Sequence, residues 1–102
     1  MLIRSLKKYP AGIARESVIC HDEYIGPGYS LPTQAMAEAT ILLARPEGML
    51  LDPTYTGKAM ACLIEFVRRG IFPAGSSVLF IHTGGVLALY EKSQYFFDCI
   101  TD

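Results

Sequence analysis

The sequence has little that would staple, charge or anchor a small protein. Only three cysteines occur in 102 residues, Cys20, Cys62 and Cys99, widely spaced and with no C-x-x-C among them. An odd, scattered set excludes a disulfide framework and a zinc ribbon, and its default setting is a reducing, cytoplasmic one. An excess of one charge is missing too: nine Lys plus Arg stand against ten Asp plus Glu, a formal net charge of −1. Without a basic field to attract a phosphate backbone, nucleic acid is not an expected partner. No apolar stretch approaches the length of a membrane span, and Arg4, Lys7 and Lys8 have no apolar segment behind them. Neither a membrane nor a signal peptide is expected. Repeats, low-complexity tracts and charged tails are absent.

Several chemical motifs are absent as well. His21 and His82 have no ligand spacing, so no metal site is expected. Gly57-Lys58 invites a phosphate-loop reading, but Asp52 and Ala59 stand where that motif needs a glycine and a hydroxyl residue. Without the glycines the backbone amides form no cradle. A G-x-S-x-G nucleophile elbow is lacking.

What is present is a chain that is 51% hydrophobic and 19% charged, fitting one small globular domain or a piece of a larger one. At this size only about two-thirds of the unfolded surface is buried, leaving room for one modest core. Ser17 to Cys20 reads as a short strand, followed by a loop through Gly26-Pro27-Gly28-Tyr29. From Pro32 the pattern turns helical: Ala35, Ala39, Leu42 and Leu43 share a face, Ser30 can cap, and Pro46 with Gly48 ends it. Met49-Leu50-Leu51 is a brief extended piece before Asp52-Pro53, where proline disfavours helical geometry at Asp52.

A second helix follows on the stripe Met60, Leu63, Ile64 and Val67, with Thr56 as cap, Arg68 and Arg69 at its negative end and Gly70 as terminator. Val78-Leu79-Phe80-Ile81 is continuously apolar, which predicts a strand covered on both faces, as in a parallel sheet of α/β type. His82-Thr83-Gly84-Gly85 then forms a turn opening a short helix over Val86 to Tyr90, at the sheet edge where open α/β folds bind ligands.

The residues of that turn admit two readings. Glycines let a backbone approach a flat ring or an anion, and a threonine hydroxyl can exchange one hydrogen bond there; a plain strand-to-helix turn looks the same. Tyr29 and Tyr55, beside glycine and proline, are surface packing or phenols aimed into a cleft. Lys58 near a helix start opposes the dipole, so it is either solvated or held by an anionic partner. Glu47 and Asp52 suit turn-holding better than work on a substrate.

Three ordered motifs carry a resemblance. Gly26-Pro-Gly-Tyr-Ser-Leu-Pro32, Glu47-Gly-Met-Leu-Leu-Asp-Pro-Thr-Tyr-Thr-Gly-Lys-Ala-Met60 and Val78-Leu-Phe-Ile-His-Thr-Gly-Gly85 resemble the C-terminal part of the D-cysteine desulfhydrase and 1-aminocyclopropane-1-carboxylate deaminase family, over about Tyr24 to Tyr90. That family implies pyridoxal 5'-phosphate as cofactor and the tryptophan synthase β-like fold (fold type II), a three-layer sandwich with parallel strands. It implies a small amino acid as substrate, and a homodimer or association with a full-length homologue.

By the same resemblance, Tyr29 and Tyr55 are catalytic phenols near the substrate. Thr83 contacts the pyridine nitrogen, and Thr56 with Gly84 and Gly85 lines the ring's pocket. Deaminases of the family carry glutamate at the position of Thr56 and leucine at that of Thr83, so the two threonines point toward desulfhydrases. These cleave D-cysteine by β-elimination to pyruvate, ammonia and hydrogen sulfide. Related sulfo-lyases acting on cysteate share the motifs.

The family's cofactor-binding lysine and phosphate loop have no counterpart here: Lys7, Lys8, Lys58 and Lys92 stand in other contexts. The chain alone is therefore expected to be inactive. Residues 1–102 are expected to be a single partial domain. Leu87 replaces the family's usual proline, Pro46 is unusual, and 91–102 reads as a divergent tail. A non-catalytic remnant that binds full-length homologues is the alternative.

Overall fold

The computed structural model describes residues 2–4 and 18–101. Its elements are β1 (Leu2–Arg4), β2 (Val18–Cys20), α1 (Gln34–Glu47), α2 (Thr56–Arg68), α3 (Leu87–Glu91) and α4 (Ser93–Thr101). The two strands pair antiparallel, with Ile3 opposite Ile19. Residue 17, with which the expected first strand began, lies outside the described residues.

The centre is the packing of α1 on α2. Gly57 makes it close: a Cβ there would stand 2.7 Å from the Asp52 carbonyl oxygen, 2.8 Å from Thr40 Oγ1 and 2.9 Å from Met36 Cγ. One apolar cluster joins Ala39, Leu51, Met60 and Ala61, with Tyr24, Leu43, Leu63, Ile64 and Phe80 against it. The other joins Met36 and Ala37 to Phe96 of α4. Thus part of the stretch 91–102 is built into the core. Thr40 lies inside too, and its hydroxyl donates 2.8 Å to the Met36 carbonyl, so burial leaves no polar atom unpaired there.

The helices form where their periodicity places them, with shifts at their ends and faces. Thr33, not Ser30, caps α1, accepting from the Met36 N–H at 3.2 Å; Ser30 instead takes a left-handed backbone with φ 58° in the preceding loop. Ala35 and Leu42 are exposed, and Met36, Ala37, Ala39 and Thr40 are inside, because α1 turns one edge to α2 and another to α4. Pro46 lies within the last turn of α1, and Gly48, left-handed at φ 65°, closes it with its N–H on the Ala44 carbonyl. In α2, Val67 is exposed and Phe66 takes the core position. Gly70 terminates it as expected: its N–H bonds Val67 and that of Ile71 bonds Phe66, the paired closure that a left-handed glycine allows.

Val78 to Ile81 forms no strand, which corrects the sequence expectation. Leu79 is 76% and Ile81 72% exposed, while Phe80 packs on the first cluster. A strand needs a hydrogen-bonded neighbour, and the one sheet among the described residues is the β1–β2 pair. The apolar run encodes burial that these residues do not supply. Parallel pairing is likewise not seen among them, so the layered sandwich is not displayed.

Candidate active site

Asp52 organises the site. Pro53 disfavours helical geometry at Asp52, and the side chain folds back over the start of α2. Oδ1 accepts from the Thr54 and Tyr55 N–H groups at 2.9 and 2.6 Å; Oδ2 accepts from the Thr56 N–H at 2.8 Å and its hydroxyl at 2.5 Å. In return Thr56 Oγ1 accepts from the Asp52 N–H at 2.8 Å. Thr56 is therefore the first helical residue rather than the cap, and the cap position, Tyr55, gives the helix no side-chain capping bond. Burial works to raise the Asp52 pKa, but the Thr56 hydroxyl and the three peptide donors outweigh it and hold the carboxyl below its ordinary range.

This turn leaves the Tyr55 phenol facing outward. Its hydroxyl donates to that of Tyr29 at 3.0 Å, with the ring centroids 6.1 Å apart. Donation to Tyr29, then burial and the nearby Tyr29 and Asp52 charges, raise the pKa of Tyr55. One turn into α2, the buried Lys58 reaches across to the glycine loop, where Nζ donates to the Ile25 carbonyl at 2.6 Å and the Gly28 carbonyl at 3.3 Å. The cation at the helix start is thus answered by peptide oxygens and not by an anion. Tyr29, Tyr55 and Lys58 border an open cavity of about 320 Å³, with His21, Tyr24, Ile25, Gly28, Ser30, Thr54 and Ala59.

The third motif abuts Asp52 from another side. His82 Nδ1 accepts the Gly84 N–H at 3.0 Å, so the neutral ring carries its proton on Nε2, which faces the Leu50 carbonyl at 2.8 Å. Gly84 and Gly85 have φ 97° and 86°. A Cβ on Gly85 would stand 3.0 Å from Asp52 Cγ, so only glycine satisfies both the backbone and the approach. Thr83 is exposed on this turn. The cavity walls hold Tyr29 and Tyr55 but not Thr56, Thr83, Gly84 or Gly85. All three motifs meet at the start of α2, on different sides of it.

The turn-holding role of Asp52 agrees with the sequence expectation, and the two tyrosines expected as phenols of a site come together at one cavity. Sequence reading missed that Lys58 ties two motifs together and that Asp52 is also the floor under Gly85. The signal for the first was the misplaced cation; the second had none, because it is a contact across 33 positions.

The family model for "Pyridoxal-phosphate dependent enzyme" matches residues 3–84, and the chain belongs to that family. Among its relatives, the 1-aminocyclopropane-1-carboxylate deaminase of Ralstonia pickettii (strain 12J) is 49% identical over 84 residues, 82% of this chain and 25% of the relative. The enzyme of the same name from Variovorax paradoxus is 50% identical over 84 residues. That of Methylobacterium nodulans is 46% identical over 77 residues, 76% of this chain and 23% of the relative. The chain thus spans about a quarter of the length of the relatives it matches.

The cofactor of this family is pyridoxal phosphate, and the residues present fit one side of it. The Gly85 backbone close over Asp52 and the exposed Thr83 hydroxyl suit a ring edge. The covalent end finds no fit at Lys58, whose ammonium is bound to two carbonyls.

Proposed function

We propose that this chain supplies the substrate-side and ring-side residues of a pyridoxal-phosphate-dependent lyase that cleaves D-cysteine to pyruvate, ammonia and hydrogen sulfide. The observation that carries this reading is the full commitment of Asp52: its carboxylate is consumed by Thr54, Tyr55 and Thr56, and the Thr56 hydroxyl is consumed in turn. No carboxylate of this turn is left for a pyridine nitrogen, and the neutral Thr83 hydroxyl is the group offered to it. Bound cofactor supplies an electron sink for the substrate bond being broken. Opposite a hydroxyl that sink is weak, which suits loss of a thiol as leaving group. The Tyr29–Tyr55 pair would hold or move a proton on the substrate side, Tyr55 as donor to Tyr29. Gly84 and Gly85 would admit the ring.

A second reading, deamination of 1-aminocyclopropane-1-carboxylate, is favoured by the names of relatives 46–50% identical to this chain. Either activity requires a cofactor-binding lysine from outside these residues, supplied by a longer chain or by association with a full-length homologue. The test is co-expression with the N-terminal segment of a family member, followed by assays with both amino acids. Sulfide from D-cysteine supports the first reading. Ammonia from the cyclopropane amino acid without sulfide from D-cysteine replaces it with the second, and no turnover of either with a stable complex supports a non-catalytic binder.

A further inference from the structure

We infer that Lys58 is a positioning residue that sets the Tyr29–Tyr55 pair by clamping the glycine loop to the first turns of α2. The inference rests on the proposed role of those phenols, but its test does not require turnover. Lys58 is 7% exposed, and its partners lie 30 and 33 positions away, on either side of Gly26 and Pro27. Tyr29 follows directly on the second of them. Tyr55 lies three residues before Lys58, on the same helical turn, so one side chain spans from the element carrying one phenol to the loop carrying the other.

Other ties at the phenols themselves are slight, the ring contacts of His21 and Tyr24 with Phe66 lying farther along both segments. The Ser30 and Thr54 hydroxyls are 3.5 Å apart, and the Tyr29 and Tyr55 hydroxyls meet at an exposed bond. An ammonium at a helix start opposes the dipole, and a buried one needs full hydrogen bonding. Both features disfavour lysine here unless the loop carbonyls hold it in place. Lysine also has the reach and the rotatable donors to bond two carbonyls that point from different peptides.

The experiment follows the ionisation of Tyr55 by NMR of ζ-carbon-labelled tyrosine in the parent, Tyr29→Phe and Lys58→Met proteins, each checked for unchanged helical circular dichroism. Tyr55 faces Tyr29 and Asp52, and loss of the Tyr29 contact removes the largest cause of its raised pKa. The expected result is a lower midpoint in Tyr29→Phe and the same lowered midpoint in Lys58→Met. A folded Lys58→Met protein that keeps the parent's midpoint overturns the inference, as does a Tyr29→Phe protein in which Tyr55 does not move. Should Lys58→Met not fold, the unsubstituted protein decides. Slowly exchanging Lys58 ammonium protons with cross-relaxation to the Gly28 α-protons are expected, and a freely exchanging ammonium overturns the clamp. Failure of the lyase assays with a positive result here would discard the reaction and leave the clamp standing.

Discussion

Removing the Asp52 carboxylate should be the most costly single change at the site. Asp52→Ala strips one side-chain acceptor group from three backbone N–H groups and the Thr56 hydroxyl, in a position 1% exposed to water. Loss of a helix cap costs about 0.5–2 kcal/mol. Leaving buried donors unpaired adds roughly 1–3 kcal/mol. The combined loss is about 1.5–5 kcal/mol, read as the fall in unfolding free energy from urea titration followed by circular dichroism. The pH dependence has a definite sign. The folded pKa of Asp52 lies below its ordinary value of 3.8, so its ionised form stabilises the fold fully above that value, and this part is lost as pH falls through the folded pKa. The gap between parent and Asp52→Ala should therefore narrow in acid. A loss under about 0.5 kcal/mol, the low end expected for a cap alone, or a gap that widens in acid, would refute this account of the turn.

Gly57→Ala should destabilise although alanine is the better helix former, because its Cβ would meet Asp52 backbone at 2.7 Å; overpacking of about 1–3 kcal/mol outweighs a propensity gain of about 1 kcal/mol. A raised melting temperature would show that the α1–α2 contact has slack. Tyr24 has its pKa pushed up to about 12, first by its hydrogen bond with Glu65, so Glu65→Gln should bring its titration back toward 10.0. Absorbance titration checks this, and an unmoved midpoint rejects the Tyr24–Glu65 pair. Leu79→Lys should suppress concentration-dependent association seen by sedimentation, since Leu79 is 76% exposed in an apolar run. A parent protein that stays monodisperse at high concentration would contradict it.

The sequence made the helices legible because periodicity and capping are local. Gly48 and Gly70 end α1 and α2 where their positions say they should. Faces were less legible: Met36 rather than Ala35 is inside, since the helix is shared between α2 and α4, and one stripe cannot report two partners. Val78 to Ile81 misled for a different reason. Its composition matches that of a strand covered on both faces, whereas strand formation depends on neighbours that the local pattern does not contain. At the candidate site, the tyrosine and glycine motifs were readable as loops and turns, and the meeting of Tyr29 with Tyr55 across 26 positions was not. The Lys58 clamp was readable only as a misfit.

The two halves of this chain's architecture differ in what they depend on. The start of α2 is held by bonds internal to 102 residues: a carboxylate on peptide N–H groups, an ammonium on peptide carbonyls, an imidazole between the Gly84 N–H and the Leu50 carbonyl. Each of those bonds has a backbone group at one end, so it fixes the course of the chain and not merely a rotamer. The apolar segment before His82 is the reverse case, with side chains suited to cover and none provided on most of its surface. Such a division lets the geometry of the three motifs be set locally while the apolar run keeps most of its side chains exposed. It follows that substitutions at Asp52, Lys58 or Gly57 should disturb this chain by itself, whereas substitutions at the exposed Leu79 and Ile81 should cost little of its stability.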